Sequence, residues 1–405
     1  MSAKHPSQIS ILDFSYDLPQ EKIATYPLAE RDQSKLLIYK NGEIRESVFK
    51  NISAELEAGT LLVFNKTKVI RARLNFKNSK DQAIELFCLE PNEANTELTF
   101  AMAAQGKVRW NCLVGNLRQW KEQTIVLSKH EITLSAKIIE KQTQQVVIEF
   151  TWTPERLGFS EVIEQLGNTP IPPYLNRKSE RLDEDRYQTI YAEKEGSVAA
   201  PTAGLHFTVA VMQQLKEKNL SFLSLTLHVS AGTFKPVKAE TMGGHDMHAE
   251  WIDVSAEEIK TIAEHTGKII PVGTTSMRTL ESLYWMGVKV IRNPLVSIKE
   301  LELTQWEAYE LEALAIEPKT SLRALYNWMI NGGRKSLVCH TAILIAPPYQ
   351  FKVCAGIITN FHQPHSTLLL LVSSVVGEKW REIYDYALNN NFRFLSYGDS
   401  SLLLK

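Results

Sequence analysis

The sequence has 405 residues, 44% hydrophobic and 22% charged, and its 45 Lys and Arg against 46 Asp and Glu leave a net charge of −1. That length makes two or three domains with a buried core, and the apolar content with so little net charge excludes disorder as a description of the whole. No global positive field announces a nucleic-acid partner, so binding of that kind requires a local basic patch.

Cys88, Cys112, Cys339 and Cys354 form no CxxC pair, which argues against structural zinc and a disulfide framework and fits a reducing cytosol. The start, MSAKHPSQIS, lacks the apolar region of a signal peptide. The greasiest run, Leu368 to Val376, falls far short of the roughly 18–20 residues of a membrane span. The expectation is a cytoplasmic monomer without membrane contact.

In chain order, residues 1–60 predict the first part of an α/β domain. Residues 61–152 carry short alternating runs such as Ala83 to Phe87, Thr124 to Leu127 and Gln145 to Phe150, which predict an antiparallel β-barrel domain. From 153 to 405 helical patterns (Thr208 to Lys218, Ser255 to His265) alternate with strand-like runs (Phe222 to His228, Lys268 to Val272, Ala342 to Ile345). This alternation predicts a mostly parallel sheet with helices on its faces. Ser255 with Glu258 reads as a capping box and Gly267 as a helix C-cap. Residues 285–340, with Trp285, Trp306 and Trp328, read as a helical insertion whose aromatics serve the core.

Five stretches carry candidate chemistry. In GSVAAPTAGLHFT (196–208) a small-residue turn enters a helix, where backbone N–H groups can approach a ligand; Thr202, Gly204 and the ionisable His206 lie there. TLHVSAGTFKPV (226–237) brings His228, Gly232 and Thr233 to the end of a strand, and VGTTSMRTLES (272–282) repeats the pattern with Thr274, Thr275 and Arg278. Ligands of open α/β sheets bind at that edge. TNFHQPHSTLLLLVS (359–373) holds Asn360 and His362 in a turn before an apolar helix that Ser366 or Thr367 caps, and in FRFLSYGDSSLLL the turn Tyr397-Gly398-Asp399 could direct Asp399 towards a site.

His245, His248 and Glu250 do not supply a full metal set. Neither a GxxxxGK[ST] loop, a GxGxxG fingerprint nor a GxSxG elbow is present. Residues 65–80 hold Lys66, Lys68, Arg71, Arg73, Lys77 and Lys80 with no acid. As a strand, Lys66 and Lys68 share a face, as do Arg71 and Arg73, and such a stripe could position RNA phosphates. A looser basic neighbourhood, Tyr174, Arg177, Lys178, Arg181 and Arg186, is diluted by Glu180, Asp183, Glu184 and Asp185.

These stretches, with DLPQEKIATYPLAERDQSKLLIY (17–39), LLVFNKTKVIRARL (61–74), TPIPPYLNR (169–177), DRYQTIYA (185–192) and HDMHAEW, resemble the S-adenosylmethionine:tRNA ribosyltransferase-isomerase family of queuosine biosynthesis. The resemblance covers most of the chain and implies an α/β domain carrying a smaller β-barrel. It also implies transfer of the ribosyl part of S-adenosylmethionine, rearranged to an epoxycyclopentanediol, onto the aminomethyl group of a 7-deazaguanine base in tRNA. Epoxyqueuosine forms while adenine and methionine leave, so S-adenosylmethionine is a consumed substrate and no cofactor is expected. A sulfonium acidifies the adjacent 5′ carbon, so a general base could start the reaction without a metal. His206, His228 and Asp399 are the acid–base candidates. Thr202, Gly204, Gly232, Thr233, Thr274, Thr275, Arg278, Asn360 and His362 are expected to line the pocket.

The chain departs from the family pattern at Lys66 (usually Asp), Arg71 (usually Pro), Gly115-Asn116-Leu117-Arg118 (usually Pro-Ala-Lys-Arg) and His365 (usually Lys), and residues 285–340 are longer than usual. An acid exchanged for a lysine inverts local charge. Two other readings therefore stand beside the first: a paralogue acting on a different acceptor, and a non-catalytic protein that binds RNA or S-adenosylmethionine.

Overall fold

The computed structural model describes residues 5–92, 98–143, 145–228, 237 and 239–405. Six strands pair antiparallel in the order Arg73–Lys77, Ala83–Pro91, Lys107–Gly115, Val146–Thr153, Ile132–Lys141, Ile125–Lys129. The two outer strands lie against each other, so the sheet is nearly closed. Side chains alternate across a strand, and Ile84, Leu86 and Cys88 accordingly turn to the interior and are fully buried. The helix Phe159–Leu166 buries Phe159, Val162, Ile163 and Leu166, the i, i+3, i+4, i+7 stripe of an amphipathic helix, in that interior. The Phe159 ring lies 5.5 Å from those of Trp110, Phe150 and Trp152. The barrel core thus reaches past residue 152 to Leu166, while Leu61–Asn65 belongs to a different sheet.

The remaining sheets are mixed, not mostly parallel. A five-stranded sheet runs Ile269–Pro271, Leu61–Asn65, Ser221–His228, Glu250–Ser255, Ser336–Thr341; its first three strands are parallel and its last two join antiparallel. A four-stranded sheet runs Gly356–Asn360, Ser400–Leu404, Lys35–Lys40, Glu43–Val48, with only its central pair parallel. Helix and strand alternation in sequence does not record the direction in which each strand enters its sheet, and this is where the parallel expectation fails. The second sheet pairs a hairpin from near the start of the chain with a strand from its end. The N-terminal hairpin is thereby joined to the C-terminal strand. A short parallel pair, Thr67–Val69 with Lys194–Ser197, completes the strands.

Helices Val209–Glu217 and Ala256–Glu264 form where the periodicity places them, capped by Thr208 and by the Ser255/Glu258 box. Gly267 does not cap: the helix ends at Glu264, and a Cβ at Gly267 would stand 2.2 Å from the Gly59 carbonyl, so close chain approach explains the residue. The strand expected at 342–345 lies instead at Ser336–Thr341, where Leu337, Cys339 and Thr341 alternate inward. Residues 285–340 begin within the helix Thr274–Arg292 and continue through Ile298–Leu301, Glu307–Leu311 and Pro318–Asn331. Trp285 and Trp328 are buried in the largest core and Trp306 packs against it. Among the described residues, no helix is long and apolar enough to cross a membrane.

Candidate functional site

The five- and four-stranded sheets are joined where Val272 bridges to Ile358 and the Gly273 N–H donates to the Ile358 carbonyl at 2.8 Å. A cavity opens at this seam. Gly273, at φ 92°, turns the chain sharply, and the helix Thr274–Arg292 begins at the cavity wall with Thr274 and Thr275 in its lining. First-turn N–H groups lack intrahelical partners and carry the positive end of the helix dipole. They suit the lone pairs of an oxygen- or nitrogen-rich ligand.

Thr202, from the short turn of 3-10 helix Thr202–His206, and Asn360 and His362, from the end of the strand Gly356–Asn360 and the turn after it, face the same space. Five of the expected pocket residues therefore converge: Thr202, Thr274, Thr275, Asn360 and His362. Two of their polar atoms, Thr275 Oγ1 and Asn360 Oδ1, are buried without a hydrogen-bond partner among the described residues. Orphaned buried polar atoms are costly, and here both belong to the wall of one cavity.

The Asn360 amide is oriented from behind. Its Nδ2 lies 3.1 Å from His206 Nε2 and 3.5 Å from the main-chain oxygen of Asp399, and donates to both. With Nε2 accepting, His206 Nδ1 carries the proton and donates to Ser34 Oγ at 2.8 Å. Burial pushes the His206 pKa down to about 4, against the opposing pull of Asp399, so the ring is neutral at pH 7. His206 thus sits behind Asn360 with both nitrogens occupied. Asp399 is equally engaged: its carboxylate accepts from the main-chain N–H of Lys35 and Arg393 and from the Arg393 guanidinium.

Other expected residues lie elsewhere. Arg278 is a turn further along its helix, buried, ion-paired with Glu250 and donating to the Ile343 carbonyl, so it anchors the helix rather than lining the cavity. Gly204 leaves room for Tyr191, whose hydroxyl would stand 1.9 Å from a Cβ there. His228 ends its strand with Nδ1 buried and unpartnered among the described residues, beside Gly196. Burial, reinforced by Lys194, lowers its pKa to about 4. Gly232 and Thr233 lie outside the described residues.

Five of the six cations of the basic run meet a carboxylate: Lys66 with Glu258 at 3.3 Å, Lys68 with Glu195 at 3.0 Å, Arg71 with Glu184 at 2.9 Å, Arg73 with Glu85 at 2.9 Å and Lys77 with Asp81 at 2.7 Å. The cavity also uses Tyr174 and Ser396, hydrogen-bonded to each other, which were not singled out as lining residues. Both occur in the sequence motifs TPIPPYLNR and FRFLSYGD, but nothing in either segment shows that the two meet. Among the described residues, no group of three His, Cys, Asp or Glu side chains could hold a metal.

A family model described as "Queuosine biosynthesis protein" matches residues 11–403. The S-adenosylmethionine:tRNA ribosyltransferase-isomerase of Halothermothrix orenii is 39% identical over 405 residues, covering 98% of this chain and 100% of that protein. The protein of the same name from Legionella pneumophila (strain Lens) is 35% identical over 398 residues, covering 97% and 99%. Among solved structures, S-adenosylmethionine tRNA ribosyltransferase from Thermotoga maritima is 26% identical with a TM-score of 0.46, over 97% of this chain and 100% of that one.

Proposed function

The chain belongs to the queuosine biosynthesis protein family, and we propose that it performs the reaction its relatives are named for in the cavity at the sheet seam. The ribosyl part of S-adenosylmethionine is transferred and isomerised onto the 7-aminomethyl-7-deazaguanine base of tRNA, giving epoxyqueuosine and releasing adenine and methionine. S-adenosylmethionine is consumed in the reaction. The observation that carries the assignment of the cavity is the pair of buried, unpartnered atoms Thr275 Oγ1 and Asn360 Oδ1 on its wall. Asn360 Oδ1 accepts from a ribose hydroxyl or a purine amine, and Thr275 with the helix N-terminus donates to ring nitrogens or ribose oxygens.

Proton transfer is assigned by availability. His206 is a positioning residue, since both its nitrogens are spent on Ser34 and Asn360. His228 does not itself line the cavity, but its Nδ1 is buried, unpartnered among the described residues, and lies against Gly196 in the segment leading to the cavity-lining Ala199. It is the better candidate to accept the proton from the 5′ carbon. Asp399 acts only through the backbone it holds.

None of the departures Lys66, Arg71, Gly115 to Arg118 or His365 lines the cavity. No observation therefore favours a different acceptor or a silent binding role over the family reaction. The direct test is incubation of the protein with S-adenosylmethionine and tRNA carrying the aminomethyl-deazaguanine base. Adenine is followed by chromatography and the tRNA nucleosides by mass spectrometry. Epoxyqueuosine with matching adenine is expected; folded protein that releases no adenine overturns the reading.

A further inference from the structure

Beside the cavity lies a second, smaller cleft whose wall contains Arg31, Arg186 and Arg393. It touches the cavity through Ser396, which lines both, and through His206, which lines the cleft and holds Asn360. Arg393 is neutralised by Asp399 at 2.9 Å. The other two are not: among the described residues, neither Arg31 nor Arg186 forms an ion pair. Their hydrogen bonds go to main-chain carbonyls alone, those of Gln188 and Asp185 for Arg31 and those of Ala29 and Leu28 for Arg186. These bonds fix both guanidiniums while leaving their charge uncancelled. Arg186 Nε is in addition buried without a partner. Burial and the adjacent Arg186 charge lower the Arg31 pKa, with weaker opposition from Tyr397 and Asp185, as expected of two like charges held together.

Two fixed, uncompensated guanidiniums beside a ligand cavity are the equipment for gripping an anionic oxygen group by forked hydrogen bonds. We propose that Arg31 and Arg186 form an anion subsite that holds one phosphate of the RNA next to the base engaged in the cavity. The position favours a polymer. Both side chains are partly exposed, and the bonds to Asp185 and Ala29 lie at the surface, so a polynucleotide crossing the cavity mouth reaches them from outside. This assignment rests on the preceding reading that RNA is the acceptor.

The test measures binding of an unmodified tRNA transcript without S-adenosylmethionine, at several salt concentrations, for wild type, R31Q, R186Q and the lysine variants R31K and R186K. S-adenosylmethionine affinity is measured by calorimetry and folding by thermal melting. Each glutamine variant is expected to weaken RNA binding about tenfold, the effect of losing a charge-assisted contact. It should also lower the slope of log K against log salt by about 0.7, one single-stranded phosphate. The lysine variants should keep the slope and lose only part of the affinity, because the charge stays and the fork goes. They also test the subsite if a glutamine variant fails to fold.

Unchanged RNA affinity and slope in folded variants overturn the proposal. So does lost S-adenosylmethionine affinity with RNA affinity intact, which would assign the cleft to the methionyl carboxylate. Adenine release by wild type, run in parallel, is a separate readout. Its absence would sink the transferase reading while the RNA titrations still judge the subsite.

Discussion

Two basic regions of the molecule behave oppositely. Lys66, Lys68, Arg71 and Arg73 are neighbours in sequence, yet each is matched by a carboxylate brought from another segment. Arg31 and Arg186 are distant in sequence and become neighbours only in the fold, where they are held by carbonyls. A run of like charge in sequence measures what the chain must compensate; the field at a surface depends on what remains uncompensated after folding.

The largest expected effect separates the two regions directly. A protein carrying both R31Q and R186Q should lose about a hundredfold in kcat/KM for tRNA, two charge-assisted contacts at about tenfold each. Saturating RNA should restore kcat to near the wild-type value. Steady-state kinetics at varied tRNA would break the comparison if the loss appeared in kcat alone, since the pair would then act on chemistry rather than on grip.

Next in size is the cavity itself. Asn360→Ala removes the unpartnered acceptor, and about tenfold weaker S-adenosylmethionine binding is expected, on the scale of one buried hydrogen bond. RNA binding in the absence of S-adenosylmethionine should be unchanged. Calorimetry with the small substrate and a separate RNA titration give opposite patterns for Asn360→Ala and for the arginine variants. If both variants weakened both ligands, cavity and cleft would be one site.

That separation also marks how far the sequence was legible. Short motifs with local geometry read correctly: the Ser255/Glu258 box, the Ser366 cap, and the Gly273-Thr274-Thr275 turn into a helix all form as expected. The barrel was legible because alternation is local. Strand direction in the other sheets was not, because it depends on crossovers between distant segments. Thr202, Thr274, Thr275, Asn360 and His362, expected at one pocket from small polar turns at strand ends, do line one cavity. His206, Arg278 and Asp399 carry the same residue-type signal, yet each is spent on holding a neighbour. Sequence cannot distinguish a functional group facing a cavity from one standing behind it. Arg186 sits among acids in sequence, which disguises a guanidinium that forms no ion pair among the described residues.

A pH series tests the two regions through their different titration. Burial lowers the pKa of His206, His228 and His362 to about 4, against about 6.5 in an unfolded chain. Between those values the unfolded chain binds more protons, so folding stability is fully present above about pH 6.5 and is lost as pH falls towards 4. Each histidine contributes at most about 1.4 kcal/mol per pH unit in that window. The melting temperature should therefore fall on acidification, less steeply in His206→Gln. Arginine does not titrate in this range, so RNA affinity of protein that is still folded should stay flat down to about pH 5.5. Affinity that follows pH would place a histidine in the grip.

The smallest expected effect belongs to the stripe, and it decides whether the comparison holds. Lys68 and Glu195 are both about two-fifths exposed and 3.0 Å apart, the kind of surface pair worth about 0–1 kcal/mol. Lys68→Gln should change the melting temperature by no more than about 3 °C and RNA affinity by no more than about twofold, with the salt slope intact. Glu195→Gln is the sharper half of the pair. It releases Lys68 from its carboxylate and leaves the cation unmatched. If pairing is what silences the stripe, this variant should bind RNA slightly more tightly than wild type and gain a steeper salt dependence. A strong loss in Lys68→Gln would instead mean that the ion pair opens for RNA, and sequence density would then have located the interface after all.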